Sequence, residues 1–140
     1  MRRKRKKHIV VADDEENMLR SFEFILEAAD YKVSSATDGR EALSIIREAR
    51  KNRQPVDLLI TDLLMPGMSG TELIAELRAA RIDIPVLVIT GHGSKEALVE
   101  LMRLGCNDYL DKPIEDEELL NRISQLINQQ ESNITHISEA

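Results

Sequence analysis

Five residues, spread over most of a 140-residue chain, carry side chains whose chemistry combines: Asp13, Asp14, Asp62, Thr90 and Lys112. Carboxylates brought close together repel, and the cluster relieves the repulsion by raising a pKa or by recruiting a cation. Oxygen-only ligands with room for water suit Mg²⁺ or Mn²⁺. An ammonium and a hydroxyl beside such an ion are the point charge and the hydrogen-bond donor that phosphoryl oxygens need. A carboxylate touching both metal and phosphoryl group can act as nucleophile and form an acyl phosphate. All of this requires a fold that brings the five residues to one place.

The elements that would do so are legible as two alternating periods. Short β-rich runs occur at Ile9 to Ala12, Tyr31 to Ala36, Val56 to Thr61, Val86 to Thr90 and Cys106 to Leu110. The first, third and fourth are almost continuously Val, Ile and Leu, the pattern of strands buried on both faces in a parallel sheet. Between them lie helical stripes: Met18, Leu19, Phe22, Ile25, Leu26, Ala29; more weakly Ala42, Leu43, Ile46, Ala49 and Leu73, Ile74, Leu77; and finally Leu119, Leu120, Ile123, Leu126, Ile127. Asp38 with Glu41 and Ser69 with Glu72 have capping-box spacing, and Glu115 to Glu118 place negative charge at a helix start. Strand and helix repeated five times, (βα)5, call for a doubly wound α/β sheet with right-handed crossovers. By analogy with flavodoxin-like sheets, the expected strand order is 2-1-3-4-5. Ligands of such sheets bind outside the carboxyl ends of the strands, near the reversal of strand order. The first run leads into Asp13-Asp14, the third into Asp62, the fourth ends in Thr90-Gly91 and the fifth leads into Asp111-Lys112-Pro113, so the chemistry converges there.

Composition sets the outer limits. With 42% hydrophobic and 31% charged residues, 140 residues make one globular domain. Six of the 19 basic residues stand in Arg2 to Lys7, which leaves 13 against 25 acidic ones, so a net charge of −6 hides a body at −12. An acidic body argues against wrapping nucleic acid and for collecting cations or basic partners. The expected division is a basic N-terminal arm over 1–7, a folded domain over 8–129, and a polar tail or the start of a linker over 130–140. A single cysteine, Cys106, excludes an intramolecular disulfide framework and fits a reducing compartment. No signal-peptide core or membrane span is visible, so the expected location is the cytoplasm, away from membranes.

The five residues together resemble a known family. Asp13-Asp14, Asp62 followed by Leu63-Leu64-Met65-Pro66-Gly67-Met68-Ser69-Gly70, then Thr90 and Lys112-Pro113, look like the receiver domain of two-component response regulators, from about His8 to Gln129. Each element alone is weak, and the four at strand ends in the right order are specific. The resemblance implies a signalling phosphoacceptor, not an enzyme acting on other molecules. Asp62 would accept a phosphoryl group from a phosphohistidine of a sensor histidine kinase or phosphotransfer protein. Asp14 would ligate Mg²⁺ directly, Asp13 largely through water, and the backbone carbonyl of Leu64 would complete the set with Asp62. Lys112 would pair with Asp62 at rest, Thr90 would turn to the phosphoryl group, and Tyr109 would turn inward behind it. That pair would carry the signal to the face formed by the fourth helix, fifth strand and fifth helix. A cis Lys112-Pro113 peptide, an effector protein or output domain, and a phosphorylation-dependent homodimer belong to the same set of expectations. Leu64 and His92 depart from residues common in the family and would tune the lifetime of the phosphorylated state.

Plainer readings stand beside these. Asp13-Asp14 alone would be a helix N-cap, Lys112 a solvated lysine and Thr90 a strand former; their shared location overturns all three. Tyr109 could be simple packing, and Cys106 a small core residue. Gly67 and Gly70 read as turn residues, and His8, His92 and His136 lack metal-ligand spacing. Two other functions are weighed. An aspartyl-phosphate hydrolase of haloacid dehalogenase type needs an acid two residues after its nucleophile, where this chain has Leu64. A flavin-binding module needs a phosphate loop after the first strand, where this chain has acids.

Overall fold

The computed structural model describes residues 5–139. Five strands and five helices alternate: β1 (His8–Ala12), α1 (Glu16–Ala28), β2 (Lys32–Ala36), α2 (Gly39–Lys51), β3 (Leu58–Thr61), α3 (Gly70–Ala79), β4 (Val86–Thr90), α4 (Lys95–Leu104), β5 (Asp108–Asp111) and α5 (Asp116–Glu139). The strands form one parallel sheet in the order 2-1-3-4-5, the flavodoxin-like arrangement.

The near-continuous apolar strands have a layered explanation. Ile9 and Val11 of β1 point to one side, against Leu19, Phe22 and Leu26 of α1 and Leu119 and Ile123 of α5. Val10 and Ala12 point to the other, against Ala42 and Ile46 of α2 and Leu73 and Leu77 of α3. With both faces covered, β1, β3 and β4 have no solvent side and no reason to alternate. Each buried Leu or Ile there contributes about 1.5–3 kcal/mol. At the sheet edge, β2 carries Lys32, Ser34 and Ser35 and only Ala36 is fully buried.

The helix starts follow from capping. The Asp38 carboxylate accepts the Glu41 N–H at 2.8 Å. Ser69 and Glu72 form a reciprocal capping box. Ser94 accepts the Ala97 N–H at the start of α4, a helix the stripes do not mark because only Leu101 in it is fully buried.

Three boundaries differ by two residues or more from the sequence expectation. Strand β3 begins at Leu58 instead of Val56, because Asp57 turns its carboxylate onto the His8 N–H at 2.7 Å and onto Arg5 at 2.9 and 3.0 Å. Strand β5 begins at Asp108 instead of Cys106. Asn107 joins β4 partly through its side chain: Oδ1 accepts the Val86 N–H at 2.8 Å, while its own N–H donates to the Val86 carbonyl at 2.9 Å. Helix α5 continues through Glu139, where a polar tail or linker is expected from residue 130; no Gly or Pro interrupts that stretch. Of the basic arm, Arg2, Arg3 and Lys4 lie outside the described residues, Arg5 is held by Asp57 and Lys6 pairs with Asp30 at 3.2 Å.

Candidate functional site at the carboxyl end of the sheet

Asp13 and Asp62 extend their strands by one residue. The Asp13 N–H donates to the Ala36 carbonyl and the Asp62 N–H to the Ala12 carbonyl, both at 3.0 Å, so neighbouring strands set the height of each carboxylate. The Lys112 N–H donates to the Thr90 carbonyl at 3.0 Å and brings the fifth strand end to the same level. All three sit beside the crossover where β1 and β3 become neighbours.

Lys112 Nζ donates to Asp13 Oδ2 and to Asp62 Oδ2, each at 2.8 Å, with Glu15 at 4.0 Å on the rim. The second oxygens are also engaged: Asp13 Oδ1 accepts the Glu15 N–H at 2.9 Å and Asp62 Oδ1 the Leu63 N–H at 2.6 Å. Asp13 and Asp62 are 1% and 4% exposed, whereas Asp14 faces solvent, so the pocket is open on one side only.

Burial alone would raise the Asp62 pKa. The Lys112 ammonium, the Thr90 hydroxyl and the Leu63 N–H together hold it below the usual carboxylate range. Burial would likewise lower the Lys112 pKa, and the Asp13 and Asp62 carboxylates raise it instead. Both groups are therefore charged at neutral pH.

Carboxylate oxygens of Asp13, Asp14 and Asp62 lie within 4.8 Å of one another. Each carboxylate offers about four lone-pair directions. The bonds to Lys112 and the backbone leave capacity, and the hard oxygen donors fit a small divalent cation such as Mg²⁺.

The structure brings Asp13, Asp14, Asp62 and Lys112 together in one cluster, with Thr90 fully buried. The Thr90 Oγ1 accepts the His92 N–H at 3.1 Å. Leu64 is 57% exposed. The Lys112–Pro113 peptide is cis. Tyr109 is half-buried, with its hydroxyl against Gly93; burial raises its pKa, and neighbouring Asp111 adds to the effect.

Two residues with a part in the site carry no clear signal in the sequence. Gly67 does take a turn conformation, φ +73, but Gly70 serves a close approach: a Cβ there would stand 2.1 Å from the Asp62 carbonyl oxygen. Gly93 is likewise pressed by Tyr109. Beside the pocket, a groove of about 570 Å³ is lined by Phe22, Phe24, Ile25, Pro113, Ile114 and Leu119, with Phe24 77% exposed.

Residues 9–124 match the family model described as the response regulator receiver domain. The chain is 35% identical over 126 residues to the transcriptional regulatory protein FixJ of Bradyrhizobium diazoefficiens, covering 90% of this chain and 59% of that protein. It is 28% identical over 120 residues to the response regulator SaeR of Staphylococcus aureus, covering 86% and 50%. The chain thus spans about half the length of these curated relatives. A crystal structure of a CheY-like response regulator receiver domain protein from Methanospirillum hungatei superposes with a TM-score of 0.84 at 29% identity, covering 92% of this chain and 99% of that one. The crystal structure of FixJ-N gives 0.76 at 32% identity, covering 89% and 96%.

Proposed function

The chain belongs to the response regulator receiver domain family, and from that membership we propose that Asp62 accepts a phosphoryl group from a phosphohistidine and that the modified protein is the signalling state. In the transfer, the N–P bond of the donor breaks, its imidazole nitrogen leaves with the electron pair, and an O–P bond forms at a carboxylate oxygen of Asp62. The observation that carries this reading is the Lys112 ammonium shared between Asp62 and Asp13. It keeps Asp62 ionised, as a nucleophile must be, and lies where phosphoryl oxygens would arrive.

When bound, Mg²⁺ (or Mn²⁺) supplies positive charge to the phosphoryl oxygens in transit. Asp14, the exposed acid, would hold it directly. Asp13, whose oxygens already serve Lys112 and Glu15, would hold it largely through water, and Asp62 and the Leu64 carbonyl would complete the protein ligands. Thr90 donates to the phosphoryl group, and Tyr109 responds on the face formed by α4, β5 and α5. Phosphorylation adds about −1.5 to −2 charge, and only a state with Thr90 turned to the new oxygens gains their hydrogen bonds, so that state is populated. Leu64 and His92 flank the path of attacking water and set the lifetime of the acyl phosphate.

The donor is a sensor histidine kinase or phosphotransfer protein, for which the apolar groove beside Pro113, with exposed Phe24, offers contact area. The reader is an effector protein, an output domain, or a second receiver in a phosphorylation-dependent homodimer. The greater length of the FixJ and SaeR relatives supports an output domain. The place of action is the cytoplasm; among the described residues no helix is long and apolar enough to cross a membrane. The test is intact mass after acetyl phosphate and Mg²⁺. One acid-labile phosphoryl group should appear, and Asp62→Asn or chelation of the metal should abolish it. A folded wild-type protein of unchanged mass would overturn the reading.

A further inference from the structure

The end of the sheet opposite Asp62 holds a second polar site. His8 opens β1 and is 5% exposed. Its Nε2 lies 2.7 Å from Ser34 Oγ, whereas its Nδ1 is, among the described residues, the one buried side-chain nitrogen or oxygen without a hydrogen-bond partner. Buried polar groups are almost always paired, so such an atom points to a partner from outside the chain. A cavity of about 130 Å³ is lined by His8 together with Arg5, Lys6, Lys32, Gln54 and Pro55. Three of these six residues carry positive charge and none is acidic, in a chain of net charge −6. His8 and Lys32 stand opposite each other in the β1–β2 register, so their side chains leave the sheet on the same face. The Gln54 N–H donates to the Ala49 carbonyl at 2.8 Å and so fixes the loop after α2 at the edge of the cavity.

We propose that this cavity binds a small oxyanion of phosphate type, held by His8 Nδ1–H, the Lys32 ammonium and the remaining N–H groups of Arg5. The Ser34 hydroxyl can donate to His8 Nε2, which places the ring proton on Nδ1, where an anion oxygen accepts it. Burial and then Lys32 lower the His8 pKa, so the ring is neutral at pH 7 and acts as a directed donor, not as a charge. The positive charge comes from Lys32, Lys6 and Arg5. Arg5 uses three of its five N–H donors on Asp57 and the Lys6 carbonyl, which leaves two for a ligand. The cavity is smaller than the roughly 300–1,000 Å³ of pockets for drug-sized ligands, so it takes a single phosphate group and not a nucleotide. Arg5 and Lys6 belong to the N-terminal arm, and His8 and Lys32 to the sheet, so a bound anion ties the arm to β1 and β2. Binding here is independent of the Asp62 pocket, because Asp13 follows β1 at its other end.

Titration with inorganic phosphate tests this, at neutral pH, without Mg²⁺ and with ionic strength held constant by chloride. Proton–nitrogen NMR follows the His8 ring and the amides of His8, Lys32 and Gln54. These resonances should shift and saturate, with the ring proton on Nδ1 at saturation. Lys32→Gln, at an exposed position of the edge strand, should raise the half-saturating concentration about tenfold, the effect of one charge-assisted hydrogen bond. His8→Phe keeps a ring but no N–H and should weaken binding in the same way, read at Lys32 and Gln54. Lys95→Gln, on α4, should bind as the wild type does. Glycerol 3-phosphate separates two sources of the anion: a saturable response means that a phosphate carried on a larger molecule enters, and a response to inorganic phosphate alone restricts the site to the free ion. Shifts that grow linearly without saturating overturn the proposal. So do saturating shifts that Lys32→Gln leaves unchanged, and a His8 Nδ1 without its proton at saturation.

Discussion

The ammonium of Lys112 stands 2.8 Å from the carboxylate of Asp62, two residues 50 positions apart whose side chains are 13% and 4% exposed. Lys112 holds Asp13 at the same distance, so one cation neutralises part of a cluster of three carboxylates. Lys112→Ala leaves the buried carboxylates of Asp13 and Asp62 without their ammonium, a change that costs about 3–5 kcal/mol where a buried pair is broken. A divalent cation would then compensate the charge that the lysine supplied. Millimolar Mg²⁺ should therefore restore much more stability to Lys112→Ala than it adds to the wild type, as read by urea denaturation with and without the ion. Equal gains in both proteins would separate the cation site from this cluster.

Acid should unfold the protein partly through Asp62. Its pKa is held below the ordinary 3.8, so the unfolded chain binds the proton more readily than the folded one. The stabilisation is present above the unfolded value and is lost as pH falls through the folded one. Asp57, lowered by the Arg5 guanidinium and the His8 N–H against the opposing effect of burial, adds to the same slope. Asp62→Asn removes one titrating group, so its stability should fall less steeply between about pH 4 and 2 than that of the wild type. Denaturation midpoints across that range decide it; parallel curves would mean that Asp62 titrates alike in both states.

Gly70 admits no side chain. Its amide donates to the Leu63 carbonyl at 2.9 Å, and a Cβ would press on the Asp62 carbonyl oxygen. Gly70→Ala must push the loop between β3 and α3 away from the strand that carries Asp62. We expect a loss of about 1–3 kcal/mol together with slower phosphoryl uptake from acetyl phosphate. Full uptake at reduced stability would show that the loop can yield without moving the carboxylate.

The parts of this molecule that a sequence reveals are those fixed by position along a strand. Asp13, Asp62, Thr90 and Lys112 each close or follow an apolar run, and parallel pairing brings such ends to one level. Relations that depend on side-chain reach are not visible in this way. The bond from Lys112 to Asp13 crosses two intervening strands, and the meeting of Gly93 with Tyr109 joins a loop to the sheet edge. The starts of β3 and β5 are missed for a related reason: the side-chain oxygens of Asp57 and Asn107, just before them, take the place of a backbone carbonyl, and hydropathy cannot register the exchange. Helix α4 escapes because a surface helix with one fully buried residue has no stripe.

Arg78 offers a test of the scaffold that should leave the chemistry untouched. From the last turn of α3, Nη1 donates to the carbonyls of Ile82 and Ile84 at 2.9 Å each, and Nη2 to the carbonyl of Gly105 at 2.8 Å and Asn107 Oδ1 at 3.2 Å. One guanidinium thus fastens the turns before β4 and before β5, at the end of the sheet opposite Asp62. Gly105 is part of the fit: its φ of +94 closes α4, and a Cβ there would lie 3.1 Å from Arg78 Nε. Arg78→Ala takes this donor from three carbonyls and from Asn107 Oδ1, which keeps only the Val86 N–H, and should cost about 2–4 kcal/mol. Arg78→Lys should recover little of it, because a single ammonium cannot span a fork of acceptors on two turns. Urea denaturation measures both losses, and phosphoryl uptake by Asp62 should persist in each folded variant. A lysine variant as stable as the wild type would show that charge alone, not the geometry of the fork, holds the two turns.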